Sequence, residues 1–258
     1  MRVDPIRVAV LTPGSCPVPS PRMTSVETVV LEQAQRLKDR IELTIIGKQT
    51  AEQPVREHAD GLNFLRVSRP GSRYDWRELG ERLNEIRPDI IQVENRPKFL
   101  PPLAGLLDRL GLSAALWLSL HSVTYASPPQ ITRRELGRCL RPADRILVNS
   151  GFLARRLSLL APEARPKISV NHPGVNPDRF ISRWTPAGAH VREAFLHSLG
   201  YGGRKIILYA GRLLPQKGVH HLLEAMPAVV RRHPDALLLI IGSAKYGQDA
   251  PTPYVRRL

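Results

Sequence analysis

The sequence predicts an α/β protein built on parallel, doubly wound sheets. Short apolar, β-branched runs alternate with longer amphipathic ones, the rhythm of strands joined by crossover helices. Runs such as "AALWLSL" are apolar at successive positions, as expected of a strand covered on both faces. The rhythm pauses once, in a Pro- and Gly-rich stretch after Asn171, and then restarts, which predicts a second unit.

"RVAVLT" (Arg7 to Thr12) reads as the first strand. "SVETVVLEQAQRLKDR" (Ser25 to Arg40) reads as a helix capped by Ser25, with Val26, Val29, Val30, Ala34 and Leu37 at helical spacing. "ELTIIG" and "LNFLRVS" are strands, "WRELGERLNEIRP" is a helix closed by Pro88, and "DIIQVEN" is the next strand. "AALWLSLH" (Ala114 to His121) follows as a strand, and "RILVNS" leads into the helix "SGFLARRLSLL". Residues 1–172 thus form one domain, and 173–203 read as a linker with a short helix around Val191 to Leu199. In 204–258, "KIILYA" is a strand, "GVHHLLEAMPAVVRRHP" a helix and "ALLLIIGS" a strand. These last residues, about 55, are too few for an independent Rossmann-type domain. The expectation is a fragment of a longer protein, or a segment that packs on something else.

Composition narrows the function. Hydrophobic residues make up 42% of the chain, and no apolar run is long enough to span a bilayer. Asp4 and Pro5 interrupt the N-terminus, so it does not read as a signal peptide, and cytoplasmic synthesis is expected. Cys16 and Cys139 lack metal-ligand spacing and read as reduced thiols, with no metal site. The formal charge of +15 favours anionic partners. Aromatic content of 5% and a dispersed charge pattern argue against nucleic acid. Peripheral attachment to an anionic membrane is compatible with helices such as "SGFLARRLSLL", although a core-facing helix shows the same pattern.

The chemistry concentrates in "YAGRLLPQKGVHHLLEA", where a strand gives way to a helix. Gly211 permits a tight turn and leaves room for a ligand, while Gly218 precedes a helix N-terminus that favours an anion. Arg212 offers a planar fork of donors and Lys217 a mobile point charge. Two readings stand on this physics: a clamp on one diphosphate, or a solvated basic loop. His121 ends a strand at the carboxyl edge of the sheet, and by itself reads more readily as a histidine bonded to neighbouring backbone. Asn95 and Arg96 lie at another strand end, where Asn95 could equally be a structural cap.

"ILYAGRLLPQKGVHHLLEA" followed by "HPDALLLIIGS" resembles the opening of the C-terminal domain in family 4 glycosyltransferases of the GT-B fold. "PGVNPDRF" resembles that family's interdomain signature, with Asn176 in place of the commoner Asp, and "LSLHS" its strand ending in His. "VEN" followed by "RP", the "CPVPSPR" loop and the "GSAKYG" end resemble one branch, the bacterial spore coat protein SA type. The resemblance implies a GT-B fold with a complete N-terminal Rossmann-like domain and the first part of a second. It implies a retaining transferase that takes sugar from a nucleotide-diphosphate donor without a bound metal or other cofactor. The acceptor would be a glycan, lipid or protein of the cell envelope or spore coat. Arg212, Lys217, Gly211 and Gly218 would hold the donor diphosphate, and Gly242 would lie near the nucleotide. His121 would support the transferred sugar, with Asn95 and Arg96 on the acceptor side.

Two departures shape the expectations. The family's Gly-Gly pair after the first strand is replaced here by Met23, Thr24 and Ser25, whose side chains would crowd a diphosphate. The family's paired sugar-holding glutamates have no counterpart in this chain. The chain by itself is therefore expected to be inactive or weak. The alternative is a non-catalytic spore coat protein on a degenerate transferase fold, and localisation then extends from the cytoplasm to a membrane surface or the coat.

Overall fold

The computed structural model describes residues 5–21, 23–244 and 250–258. Asp4, Arg22 of the "CPVPSPR" loop and Lys245 to Gly247 of "GSAKYG" lie outside the described residues. The chain divides into two compact units, Met1–Pro173 and Gly174–Leu258.

The first unit runs β1 (Arg7–Leu11), α1 (Ser25–Leu37), β2 (Glu42–Lys48), β3 (Arg56–Ala59), β4 (Leu62–Val67), α2 (Trp76–Ile86) and β5 (Ile90–Glu94). It continues with α3 (Leu100–Leu110), β6 (Ala115–Leu120), α4 (Arg133–Leu140), β7 (Arg145–Val148), α5 (Gly151–Leu160) and β8 (Ile168–Val170). The eight strands lie in the order β3-β4-β2-β1-β5-β6-β7-β8, all parallel except β3. The chain winds outward from β1 in one direction through β2 and β4, then in the other from β5 to β8. Such a reversal places a crevice outside the carboxyl ends of β1 and β5.

Period-two alternation explains the two cores. Val10, Ile45 and Phe64 point to one face, where Val30 and Ala34 of α1 cover them. Leu11, Ile46 and Val67 point to the other, against Leu79 and Leu83 of α2 and Leu103 of α3. β6 departs from the expected two-sided burial. Leu116, Leu118 and Leu120 are buried, but Ala115, Trp117 and Ser119 are only half-buried. Trp117 is instead capped by the Arg145 guanidinium, 5.3 Å from its ring centre.

Local chemistry corrects several expected boundaries. Thr24, not Ser25, caps α1, because its hydroxyl accepts from the Val26 N–H at 3.4 Å. The helix ends at Leu37, not Arg40. β3 was not foreseen, although "HADGLNF" carries an Asp-Gly hairpin signal. Asp60 and Gly61 have φ of 54° and 77°, as a two-residue type I′ turn requires. Asn176 accepts from the Asp178 N–H at 3.2 Å, capping a short turn.

In the second unit, α6 covers Pro186–Ser198, longer than the helix expected at Val191 to Leu199. Thr185 caps it and Pro186 opens its first turn, both suited to a helix start. β9 (Lys205–Ala210) and β10 (Ala236–Ile241) pair in parallel around α7 (Val219–Arg232).

Candidate functional site

His121 follows β6 directly, and its backbone is gripped from both neighbouring strands. Its N–H donates to Asn95 Oδ1 at 2.9 Å from the end of β5. Its carbonyl accepts from Asn149 Nδ2 at 2.9 Å from the end of β7. Asn95 itself holds φ of 54°, a conformation that Asn tolerates better than most residues, and it is buried. The structural reading of Asn95 is therefore the one its contacts support: it fixes His121.

The imidazole is held as firmly. Nε2 lies 2.8 Å from Glu94 Oε2 and 3.2 Å from Ser119 Oγ. Glu94 is 1% exposed, and Gln92 donates to its other oxygen at 2.6 Å. With Glu94 as a carboxylate, Nε2 carries the hydrogen and the neutral ring's Nδ1 becomes an acceptor suited to a hydroxyl. A cavity of about 20 Å³ beside His121, reaching Asn149 and Asn171, has room for a water. Sequence reasoning missed Glu94 and Asn149. A charged residue closing the apolar run "DIIQVEN" was the available signal for Glu94.

Arg96 joins this anchor to the neighbouring cleft. One terminal nitrogen donates to the Asn95 carbonyl and the other to Ser15 Oγ, each at 3.2 Å, and the guanidinium covers Tyr125 at 3.9 Å. It walls a cleft of about 830 Å³ between the loops after β4, β5 and β6 and the helix α4.

The loop expected to carry paired glycines is filled by side chains. Met23 packs against the α1-side core. The Thr24 hydroxyl donates to Glu27, whose carboxylate is fully buried in the first turn of α1. Ser25, displaced from the cap, is exposed. Burial pushes the nearby Cys16 thiol up to about 11.

In the second unit, β9 and β10 remain paired past their ends. Gly211 N–H bonds Ile241 O, and Leu213 N–H bonds Ser243 O, both at 3.0 Å. Gly211 bends the chain there without entering the left-handed region. Gly242 has φ of 137°, and a Cβ there would lie 2.0 Å from the Gly211 carbonyl oxygen. Close approach of two strand ends is what demands glycine. Gly218 has φ of 71° and joins a short 3-10 turn (Pro215–Lys217) to α7. Arg212 and Lys217 are exposed on this junction. The α7 N-terminus is not wholly open, because the Tyr254 hydroxyl lies 3.4 Å from the His220 N–H and 2.8 Å from its Nδ1.

Helix α5 buries Leu153 and Leu157 in the core and exposes Phe152 and Leu159 beside Arg155 and Arg156. Among the described residues, no helix is long and apolar enough to cross a membrane. None of their His, Cys, Asp and Glu side chains form a group of three or more able to hold a metal ion.

Residues 26–179 match the family model described as Glycosyltransferase Family 4, and residues 192–252 match that for Glycosyl transferases group 1. The chain is 29% identical to spore coat protein SA of Bacillus subtilis strain 168, over 98% of this chain and 65% of that protein. It is 27% identical to the putative glycosyltransferase YtcC of the same strain, over 98% of this chain and 60% of that one. It thus spans less than two thirds of the length of these curated relatives. In fold it resembles Anabaena Alr3699/HepE, solved in complex with UDP-glucose. The TM-score is 0.69 at 16% identity, covering 97% of this chain and 64% of that one.

Proposed function

This chain belongs to glycosyltransferase family 4, and on that premise we propose that it serves the retaining transfer of a sugar from a nucleotide-diphosphate donor to an acceptor of the cell envelope or spore coat, with turnover by this chain alone weak or absent. The observation that carries this reading is the junction of β9 and α7. There Arg212 and Lys217 stand exposed between a strand's carboxyl end and a helix N-terminus. As the glycosidic bond breaks, negative charge grows on the departing diphosphate, and fixed cations aimed at that charge stabilise the transition state. His121 serves the sugar: Glu94 and Ser119 occupy Nε2, leaving Nδ1 to receive a hydroxyl. The reading invokes no group beyond the nucleotide sugar. The UDP-glucose bound by the Anabaena protein of the same fold supports a nucleotide-sugar donor.

Isothermal titration with UDP-glucose and GDP-mannose as probes tests the donor reading. A charge-assisted hydrogen bond contributes about 1.5–3 kcal/mol, so Arg212→Ala and Lys217→Ala should each weaken binding about 10- to 150-fold. Binding indifferent to both substitutions would overturn the assignment.

The side chains that fill the start of α1 favour a second reading, a coat protein that keeps the fold without turnover. Thr24 and Glu27 bond each other there, where a donor phosphate would otherwise approach backbone. Absence of binding by either sugar nucleotide would support it.

A further inference from the structure

The 830 Å³ cleft of the first unit is large enough for a substrate, and its charge is one-sided. Arg69, Arg73, Arg96, Lys98 and Arg138 line it, with Glu135 as the single carboxylate among the described residues. Glu135 is already committed to Lys98 at 3.0 Å, which holds its carboxyl below the usual range. Among the described residues, none of the four arginines forms an ion pair. Two are nevertheless fixed by neutral acceptors. Arg69 donates to the carbonyls of Gly71 at 3.2 Å and Ser72 at 2.9 Å. Arg96 is held by Asn95, Ser15 and the Tyr125 ring.

One carboxylate, Glu135, faces five cations here and feels both Lys98 and Arg138, so the cleft keeps a self-repulsion that an anion relieves. Planar forks match phosphate oxygens, and a phosphate monoester brings nearly two negative charges. Trp76 and Phe99, edge to face at 5.7 Å, add an apolar wall for the body of the ligand. Arg96 also ties the cleft to the anchor of His121 through the Asn95 carbonyl.

We infer that this cleft binds a phosphate-bearing molecule and that this molecule is the acceptor. Its role as acceptor rests on the transferase reading above; the binding does not. The phosphate belongs either to a lipid headgroup or to a small soluble ester.

Calorimetry with glycerol 3-phosphate, and with glycerol as its uncharged counterpart, tests the site. Phosphatidylcholine vesicles with and without phosphatidic acid test the lipid source. Arg73→Ala with Arg138→Ala, both exposed, should weaken phosphate binding about tenfold or more, the loss of one or two charge-assisted bonds. Arg36→Ala with Arg109→Ala removes the same charge from exposed helix positions outside the cleft and should leave binding within about twofold, as screened distant charges do. Binding of the soluble ester assigns the phosphate to a free molecule, and binding of phosphatidic acid vesicles alone assigns it to a headgroup. Failure of both probes, equal binding of glycerol, or equal loss in the two double variants overturns the site. UDP-glucose titrated in parallel separates the two readings. If it binds and the phosphate probes do not, the cleft assignment fails while the transferase reading stands. The reverse result leaves an anion site and removes the donor.

Discussion

Replacing Asn95 separates two physical contributions to the placement of His121. Asn95 holds φ of 54° and accepts the His121 N–H at 2.9 Å, at a site where it is buried. Alanine loses both advantages. Forcing it into the left-handed region costs about 1–2 kcal/mol. Orphaning the His121 N–H costs about 1–3 kcal/mol more, so Asn95→Ala should destabilise the first unit by about 3 kcal/mol. Glycine removes the backbone strain but adds about 0.5–1 kcal/mol of chain entropy, so Asn95→Gly should cost about 2 kcal/mol. Urea unfolding measures the difference. With a slope of about 2–3 kcal/mol per molar, alanine moves the midpoint by roughly 1 M and glycine by somewhat less. Hydrogen exchange at the His121 amide supplies the local readout and should accelerate in both variants. The reasoning fails if both variants stay within about 0.5 kcal/mol of the parent, the scatter of ordinary surface changes, or if alanine proves the milder.

Two further outcomes follow from buried groups. Arg66 is 0% exposed and donates to the carbonyls of Pro54 at 2.7 Å and Val18 at 3.0 Å and to Glu57 at 2.5 Å. Arg66→Leu should cost about 3 kcal/mol by thermal unfolding, the low end for a broken buried pair, because Glu57 is partly exposed and regains water; an unchanged melting temperature would mean that the clamp carries no weight. The Cys16 thiol is pushed from 9.0 to about 11 by burial, and burial also raises Cys139. A raised thiol stabilises the fold fully below pH 9 and loses that contribution as pH climbs towards 11. Ellman's reagent at pH 8 should therefore label both cysteines only after unfolding, and rapid labelling of the native chain would contradict their burial.

The alternation of apolar runs and amphipathic helices was enough to assign the α/β class, because period 2 and period 3.6 are written locally in side-chain order. The strand-end position of His121 and the Gly211–Gly218 junction were legible for the same reason. Partners distant in sequence were not. Glu94 and Asn149 meet His121 from 27 and 28 residues away because neighbouring parallel strands end together. Asn95 read as a strand-end residue, yet only its bond to the His121 backbone shows which atom it holds. The charge total was plain in the sequence and looked dispersed. Folding gathers Arg69, Arg73, Arg96, Lys98 and Arg138 from three separate segments around one cleft. Local order thus determined what each segment would become, and long-range packing decided which charges and hydrogen bonds would share a site, since loop closure brings together groups whose sequence spacing carries no signal.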